Sequence, residues 1–321
     1  MELPNLTELD AAAEIVHSVM PPTPQYCWPQ LSSRVGGELW VKHENHTPVG
    51  AFKLRGGLVY LDDLRRSQPG IAGVVSATTG NHGQSIAYAA TRLGLKSTIV
   101  VPHGNSPEKN RAMQAFGATL TEHGHDFQAA YEHAMALAER ENLHPVRSFH
   151  PLLARGVASY GLELFRAVPD LDVVYVPIGL GSGICGVIAA REALGARAEI
   201  VGVVAANAAT YALSVAAGKP VPTNSADTFA GGLAVRVPDV AALDMVRRHA
   251  ARIVTVSEAE MREAIRILFS DTHNIAEGAG AAPLAAALQE RDRLVGKKVA
   301  VVQSGGNIDR ALFTEILAER N

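Results

Sequence analysis

The sequence predicts an α/β protein built from two doubly wound domains, with a smaller domain inserted into a larger one. From residue 70 onwards, short and almost wholly apolar segments such as IAGVVSA and KSTIVVP alternate with segments of helical spacing. Apolar strands of this kind are typical of parallel sheets that are covered on both faces. The chain has 321 residues, 47% of them hydrophobic, which is enough for about two domains of ~150 residues.

The strand–helix units follow one another along the chain. IAGVVSA precedes the helix GQSIAYAATRLG, which we expect to stop at Gly94. KSTIVVP precedes SPEKNRAMQAFG, where Ser106 fits an N-cap, Pro107 the first helical position and Gly117 the position past the end. ATLTEH and DFQAAYEHAMALAEREN repeat the unit. Later come DVVYVPI, ICGVIAAREALG, AEIVGVVA and KKVAVVQS.

The run of strand–helix units changes near His150 and Pro151, and this change sets the expected domain boundaries. We place a small mobile domain at residues 72–149. The larger domain is then built from residues 1–71 and 150–321.

Composition excludes several classes of function. The net charge is -3 and no basic run is present, so neither nucleic acid nor an anionic membrane is an expected partner. No apolar stretch reaches the ~18 residues of a membrane span, and the acidic, amphipathic N-terminus is unlike a signal peptide. Cys27 and Cys185 are too few for a disulfide framework. We expect a soluble cytoplasmic protein with a small-molecule partner, and a homodimer as its assembly.

The first glycine-rich loop, SATTGNHGQ, spans Ser76 to Gln84. Gly80 permits a tight turn, and the helix that follows presents its N-terminal amides to an anion. Asn81 and His82 stand at the mouth of this loop. Taken alone, the same residues also fit an ordinary strand–helix turn.

The second loop, PIGLGSGICG, joins a strand to a helix and is typical of a phosphate cradle. It contains G-x-G-x-x-G at Gly181, Gly183 and Gly186, so a dinucleotide-binding module is an alternative. That alternative needs an acidic residue at the end of the next strand to hold a ribose. Residues 204–207 read VAAN and include no carboxylate, so a phosphate without a ribose partner fits better.

Two further segments complete the set of motifs. A buried strand ends at Ser304 in VVQSGGNIDR, where a hydroxyl could bond to a ligand ring. Near the N-terminus, AFKLRGG places Lys53 behind an aromatic residue. Apolar surroundings would lower the pKa of the Lys53 amine and favour a nucleophile or base. We expect the glycines at 50, 56 and 57 to let the backbone pack close to a flat ring.

Lys53 in AFKLRGG, Asn81 in TTGNHGQ, the loop GLGSGICG and SGGN follow the order seen in fold-type II pyridoxal-phosphate enzymes, whose fold is that of the tryptophan synthase β chain. The chain most resembles the serine/threonine dehydratases and their serine racemase relatives. The resemblance implies a pyridoxal 5'-phosphate cofactor bonded to Lys53 as a Schiff base. It places Phe52 behind the ring, Asn81 at the phenolic oxygen and Ser304 at the pyridine nitrogen.

The resemblance also assigns the phosphate and the substrate. The phosphate would be bound by backbone amides of the second loop, namely Gly179, Leu180, Gly181, Ser182 and Gly183. The substrate carboxylate would be received at the first loop by Thr78, Thr79, Asn81 and His82. Lys53 would remove the α-proton, and a β-hydroxyl would leave, so that a 2-oxo acid and ammonia are released. A neutral hydroxyl at Ser304, in place of a carboxylate, favours prompt elimination.

Several alternatives stay open on the sequence. Thr79 occupies the place of the second acid/base of the racemases, so it is a second catalytic candidate and racemisation is an alternative activity. A lyase for 3-hydroxyaspartate, phenylserine or a hydroxyectoine-derived substrate is another. Glu277 lies where the family has a glutamate near the active site, but it also fits a helix start. The chain ends soon after SGGN without room for a regulatory domain, from which we expect a degradative role in amino acid catabolism.

Many relatives hold a divalent metal beside the cofactor phosphate, and the resemblance predicts that this chain does not. The positions that match the acidic ligands are Val204 and Thr210, with the Ala208 carbonyl between them. A hard divalent cation requires several oxygen ligands, with carboxylates supplying the charge. We therefore expect no metal site here.

Overall fold

The computed structural model describes residues 2–319, and ten strands within that range form two separate sheets. The strands are β1 (Gln25–Cys27), β2 (Glu38–His43), β3 (Gly73–Ala77), β4 (Lys96–Val101), β5 (Thr119–Glu122), β6 (His144–Pro145), β7 (Val173–Pro177), β8 (Glu199–Ala205), β9 (Arg252–Val256) and β10 (Lys298–Gln303).

Thirteen α-helices in the same range surround the sheets. They are α1 (Leu6–His17), α2 (Pro29–Val35), α3 (Lys53–Ser67), α4 (Asn81–Arg92), α5 (Pro107–Ala115), α6 (Phe127–Glu141), α7 (Pro151–Ala167), α8 (Ser182–Leu194), α9 (Thr210–Ala217), α10 (Val240–His249), α11 (Glu258–Thr272), α12 (Gly278–Gln289) and α13 (Arg310–Ala318). None of these helices combines the length and the hydropathy that crossing a membrane requires.

The strand order confirms the prediction of an α/β protein with parallel sheets. The larger sheet has the order β1-β2-β10-β7-β8-β9 and is parallel except for β1, which runs antiparallel to β2. The smaller sheet has the order β5-β4-β3-β6 and is parallel throughout. All strands of the smaller sheet lie within residues 73–145, whereas the larger sheet takes strands from before and after that segment.

Burial on both faces of the sheets explains the continuous apolar strands. In β7, Val174 and Val176 pack into a core cluster with residues of α7 and α8, while Val173 and Tyr175 pack into a second cluster with α11 and α12. Because neighbouring residues of a strand point to opposite faces, each position must be apolar. The patterns do not predict β2, since Lys42 and His43 interrupt its apolar run, although both are buried.

The predicted start and stop of α5 are confirmed. The Ser106 hydroxyl accepts a hydrogen bond from the Lys109 amide at 3.2 Å, and Pro107 is the first helical residue. Gly117, past the end, has φ of +95°, a conformation that favours glycine. These local signals act within a single turn, so they could be seen in the sequence.

Both sheets contain a point at which the strand order reverses. In the larger sheet the chain proceeds from β7 to β8 on one side, whereas β10 pairs with β7 on the other. In the smaller sheet β4 and β6 flank β3 in the same way. Ligands of open parallel sheets bind at the carboxyl ends of strands beside such a point. The loops that follow β7, β10 and β3 are the three that the sequence singles out.

Candidate active site

Lys53 is the first residue of α3, and its segment is joined to the end of β10. The Phe52 amide donates to the Ser304 carbonyl at 3.0 Å, and Ser304 is only 3% exposed. The Lys53 Nζ donates to Ser182 Oγ at 3.4 Å and lies 5.2 Å from the centroid of the Phe52 ring. The structure thus brings together three segments that are separated by more than a hundred residues in the sequence.

The environment of Lys53 makes its amine chemically active. Burial lowers the pKa of Lys53 to about 8, and the negative charge of Glu277 acts in the opposite direction. A desolvated ammonium loses its hydration without gaining a full counter-charge, so the neutral amine is favoured. The expected lowering of the Lys53 pKa is confirmed, and a pKa of about 8 leaves about a tenth of the amine neutral at pH 7, able to act as nucleophile or base.

The loop after β7 is shaped by its neighbours. A Cβ at Gly179 would lie 2.2 Å from the Gly232 carbonyl oxygen, so no larger residue fits. Gly181 precedes α8 with φ of +106°, and the Tyr211 hydroxyl donates to the Leu180 carbonyl at 2.8 Å. The amides in the first turn of a helix have no acceptor within the helix, and they are therefore available to an anion.

The loop after β3 carries the predicted substrate residues to the start of α4. Thr78 is buried, and its amide donates to the Val100 carbonyl at 3.1 Å. Thr79 is exposed, and within residues 2–319 its hydroxyl has no hydrogen-bond partner. Asn81 and His82 are the first two residues of α4. The loop therefore offers helix-terminal amides together with one free hydroxyl.

His82 is only 5% exposed, and its ring is neutral. Burial, and then the nearby charge of Lys53, lowers the pKa of His82 to about 3. Its Nε2 atom is buried without a partner among the described residues. A neutral imidazole has a single N–H donor and no net charge. A carboxylate at this loop would therefore depend on amides and hydroxyls, since no imidazolium is available at neutral pH.

A chain of hydrogen bonds fixes the orientation of Asn81. The Val49 carbonyl can only accept, so Asn307 turns its Nδ2 toward it at 2.9 Å. The same Nδ2 donates to Asn81 Oδ1 at 2.8 Å, which leaves Asn81 Nδ2 to donate to Glu277 Oε1 at 2.7 Å. Asn307, the last residue of SGGN, had no role in the sequence interpretation. Glu277 is both the residue before α12 and a site residue, and burial raises its pKa.

The expectation for the glycines around Lys53 is wrong. A Cβ at Gly56 would lie 2.7 Å from the Leu153 carbonyl oxygen, and one at Gly57 would lie 2.2 Å from Ser85 Oγ. Gly50 has φ of +69° and a Cβ there would meet the Asn307 side chain. These glycines therefore admit other parts of the protein, and they do not line a space for a flat ring. Sequence alone could not distinguish the two, because both demand the absence of a Cβ.

The positions that match the metal ligands of relatives are buried. Val204 is 1% exposed and belongs to the core. The Thr210 hydroxyl donates to the Val221 carbonyl at 2.7 Å, so its hydrogen already has an acceptor. Among residues 2–319 no group of three or more His, Cys, Asp or Glu side chains could hold a metal ion. The absence of a divalent site stays a prediction.

Comparison with known proteins agrees with this geometry. The sequence profile of the family described as pyridoxal-phosphate dependent enzyme matches residues 17–305. An L-threonine ammonia-lyase of Thermotoga maritima is 35% identical over 293 residues, which are 89% of this chain and 71% of that protein. The chain belongs to the pyridoxal-phosphate-dependent enzymes, and within them to the ammonia-lyases of the serine/threonine dehydratase group.

Solved structures share the whole fold. The processed form of threonine deaminase isoform 2 from Solanum lycopersicum has a TM-score of 0.91 at 29% identity, covering 99% of this chain and 95% of that one. A pyridoxal 5'-phosphate-dependent aspartate racemase has a TM-score of 0.90 at 26% identity, covering 95% and 96% of the two chains. These likenesses confirm fold type II and exclude the non-enzymatic dinucleotide-binding alternative.

The residues present fit the cofactor that the family uses. Pyridoxal phosphate has an aldehyde, a phosphate and a pyridine ring. The site has a partly neutral amine at Lys53, a glycine loop at the N-terminus of α8, and the buried residue Ser304, whose carbonyl accepts from the Phe52 amide. Each chemical group of the cofactor thus has a counterpart among these segments.

Proposed function

We propose that this protein is an ammonia-lyase for β-hydroxy amino acids of the threonine and serine type, which it converts to a 2-oxo acid and ammonia. The observation that carries the proposal is the buried Lys53 amine, with a pKa lowered to about 8, held between the loops that follow β7 and β10. The names of relatives, such as the L-threonine ammonia-lyase of Thermotoga maritima, support the substrate class.

The cofactor, when bound, supplies an aldehyde that bonds to the substrate amino group and a conjugated ring that withdraws electrons from Cα. The chain's own residues do the rest. In this proposal Lys53 Nζ would hold the aldehyde and would take up the α-proton. Phe52 would lie beside the ring, Asn81 would offer its remaining Nδ2 hydrogen to the phenolic oxygen, and the Ser304 hydroxyl would serve the ring nitrogen.

The phosphate and the substrate carboxylate bind at two helix N-termini. The phosphate site consists of the amides that open α8, from Gly179, Leu180, Gly181, Ser182 and Gly183. The carboxylate site consists of the start of α4 and the loop before it, from Thr78, Thr79, Asn81 and His82. In this proposal both sites use amides at or just before a helix N-terminus, which bind anions without any charged side chain.

A second candidate activity is racemisation. Thr79 has an exposed hydroxyl without a hydrogen-bond partner in residues 2–319, so it is free to move a proton at the α-carbon. The likeness to an aspartate racemase supports this alternative. Because a threonine hydroxyl is a weak acid and base without an activating neighbour, we expect elimination to dominate.

We also propose that residues 72–149 form a small domain that moves against the rest of the chain, which is formed by residues 1–71 and 150–321. Two polar contacts at the site join the two parts, which also share an apolar core cluster that includes Leu58 of α3 and Ile86 of α4. Asn81 donates to Glu277, and Ser106 Oγ donates to Asp309 Oδ1 at 2.5 Å. In this proposal the motion opens the two polar contacts and admits the substrate, while the shared apolar cluster limits its amplitude.

The decisive experiment combines a spectrum with a product assay. A visible absorbance band that borohydride abolishes would show the bound cofactor. The 2-oxo acid is then measured for L- and D-threonine, L- and D-serine, 3-hydroxyaspartate, phenylserine and a hydroxyectoine-derived amino acid, with chiral analysis of the remaining substrate. Highest kcat/KM on threonine or serine supports the proposal. A chiral change without 2-oxo acid would overturn it in favour of the racemase.

Three further expectations belong to the proposal and need their own measurements. A degradative role predicts activity that isoleucine does not inhibit. A homodimer predicts twice the chain mass in sedimentation equilibrium. A cytoplasmic location predicts recovery of the protein in the soluble cytoplasmic fraction of its cells.

A further inference from the structure

Helix α7 is clamped between the helix that carries Lys53 and the helix that opens at the phosphate loop. A Cβ at Gly156 would lie 2.3 Å from the Arg55 carbonyl oxygen of α3. On the other side, a Cβ at Gly161 would lie 2.8 Å from the Ala190 Cβ of α8, and one at Gly186 would lie 2.8 Å from the Ala158 amide nitrogen. These close approaches leave α7 little freedom to shift relative to either helix.

Tyr160 lies on α7 at this junction and contacts three parts of the site. It is 1% exposed, and its hydroxyl donates to the Gly183 carbonyl at 3.2 Å. Its ring meets the Phe52 ring edge to face, with centroids 6.3 Å apart at 87°. The Arg55 guanidinium carbon lies 5.8 Å from the centroid of the Tyr160 ring. One side chain thus connects the phosphate loop, the residue before Lys53 and a buried cation.

The buried cation is itself held rigidly. Arg55 is 0% exposed and donates to both oxygens of Glu44, at 2.7 and 2.9 Å. It also donates to Glu163 at 2.6 and 2.9 Å and to the Ser159 hydroxyl at 2.9 Å. Ser159 and Glu163 flank Tyr160 on α7, so the cluster fixes the same turn of helix that presents the tyrosine.

A hydrogen bond to the Gly183 carbonyl acts on the helical turn that follows the five amides assigned to the phosphate. The carbonyl of residue 183 and the amide N–H of Ile184 belong to one peptide group. Donation to the carbonyl oxygen polarises that peptide and strengthens its N–H as a donor, because hydrogen bonds in a chain reinforce one another. The Ile184 amide lies in the first turn of α8, where the N–H groups have no partner within the helix.

We propose that Tyr160 is a positioning residue for the cofactor phosphate: its hydroxyl orients and polarises the first turn of α8, and the Arg55 cluster holds it in place. The inference rests on the proposed function, in which α8 binds the phosphate of pyridoxal phosphate. It predicts that the contribution of Tyr160 is specific to the phosphate group and absent for the same ring without phosphate.

The test compares Tyr160→Phe with wild type in the apoprotein, prepared by removing the cofactor. Dissociation constants are measured for pyridoxal phosphate and for pyridoxal, which lacks the phosphate. Loss of one hydrogen bond to a buried peptide should raise the Kd for pyridoxal phosphate about five-fold and leave that for pyridoxal unchanged.

Tyr175→Phe is the matched control. Tyr175 is also fully buried and its hydroxyl donates to Glu290 Oε2 at 2.7 Å, but it packs in the core cluster on the opposite face of the larger sheet. Both variants should lower the apoprotein Tm by a similar amount, about 2 °C. Only Tyr160→Phe should change the Kd for pyridoxal phosphate.

Two outcomes would overturn the inference. One is an unchanged Kd for pyridoxal phosphate in Tyr160→Phe. The other is an equal rise for pyridoxal phosphate and pyridoxal, which would mean that the residue acts on the ring or on Lys53. If Tyr160→Phe yields too little folded protein at the assay temperature, both dissociation constants are measured for both proteins at a lower temperature, where the folded fraction of the variant is higher. Failure of the proposed function would look different, since the wild type would then release no 2-oxo acid from threonine or serine, whatever the two dissociation constants are.

Discussion

Lys53 and Arg55 lie two residues apart on α3, but the pKa of Lys53 is lowered and that of Arg55 is raised. Lys53 donates to the neutral Ser182 hydroxyl, and burial lowers its pKa to about 8. Arg55 donates to the carboxylates of Glu44 and Glu163. Burial acts to lower the pKa of Arg55, but the two carboxylates outweigh burial and raise it. Residues two apart on a helix point in different directions, which makes this separation possible.

The difference shows how a stable charge and a reactive one can share a helix. A buried charge is tolerated when it is paired and fully hydrogen-bonded, and Arg55 meets both conditions. A buried amine without such a pair shifts its pKa toward neutrality. The first arrangement anchors α3 to α7, and the second leaves an amine ready to react at the start of the same helix.

Lys53→Ala should have the largest effect on activity. We expect turnover to fall by about a thousand-fold or more, since in the proposed mechanism Lys53 bonds to the cofactor and moves the α-proton. The visible band that borohydride abolishes should disappear, while the cofactor phosphate still binds. Absorbance titration and a 2-oxo acid assay check this. A variant that retains both band and turnover would show that another lysine is the anchor.

Glu163→Ala should have the largest effect on stability. It leaves Arg55 and Lys42 under-compensated in a buried place, at a cost of about 3–5 kcal/mol in the free energy of unfolding. Urea unfolding measures this loss. Asp10→Ala, which breaks only the exposed pair with Arg166, is the control and should cost less than about 1 kcal/mol. Equal losses in the two variants would contradict the role assigned to the buried ion pairs of Glu163.

The Glu163 effect should also depend on pH. Burial alone would raise the pKa of Glu163, but Arg55 and Lys42 lower it to about 2. A carboxyl whose folded pKa is depressed contributes stability above its unfolded pKa, and this contribution is lost as the pH falls toward the folded pKa. The difference between wild type and Glu163→Ala should therefore be constant from pH 5 to pH 8 and shrink below about pH 4. If the difference instead grows on acidification, the pKa of Glu163 is not lowered in the folded protein.

Glu277→Gln tests how the charge of Glu277 affects the Lys53 amine, and we expect a smaller effect than in the two variants above. The Glu277 charge raises the pKa of Lys53 against the effect of burial, so its removal should move the Lys53 pKa below about 8. The rate at which the apoprotein reacts with pyridoxal should then reach half its maximum at a lower pH than in wild type. Glu290→Gln, which removes a carboxylate bound to Arg252, is the control and should leave the profile unchanged. A shift to higher pH in Glu277→Gln would contradict the role assigned to its charge.

The smallest expected effect is that of divalent metal. With Val204 and Thr210 at the positions of the acidic ligands, turnover and thermal stability should not respond to EDTA or to added Mg²⁺. Steady-state assays and melting curves with and without the ion check this. A rise in turnover with Mg²⁺ that EDTA reverses would contradict the prediction.

Signals that act over a short stretch of chain could be predicted from the sequence. The alternation of apolar strands and helices predicts the parallel sheets, and Ser106, Pro107 and Gly117 predict the ends of α5, since each acts within a few residues. Lys53 could be named as the reactive lysine from its motif, and the lowering of its pKa from its apolar surroundings.

What could not be predicted depends on contacts between distant segments. Asn307 orients Asn81 across 226 positions, and no local pattern reveals such a bond. The glycines after Lys53 show the same limit. The sequence shows that Gly56 has no Cβ, but it does not show that the Leu153 carbonyl oxygen fills the space where a Cβ would lie. In the sequence Lys42 and His43 interrupt the apolar run of β2, and only the structure shows that both side chains are buried.

The sequence by itself determined the α/β class, the order of the motifs and the chemical nature of the site, because these follow from periodicity and residue type along the chain. The tertiary structure decided which charges are paired and which are left alone. It set Arg55 between two carboxylates, left Lys53 beside a hydroxyl, and brought Tyr160 to the phosphate loop. The physical reason is that desolvation and Coulomb energies depend on distances in space between groups far apart in the chain.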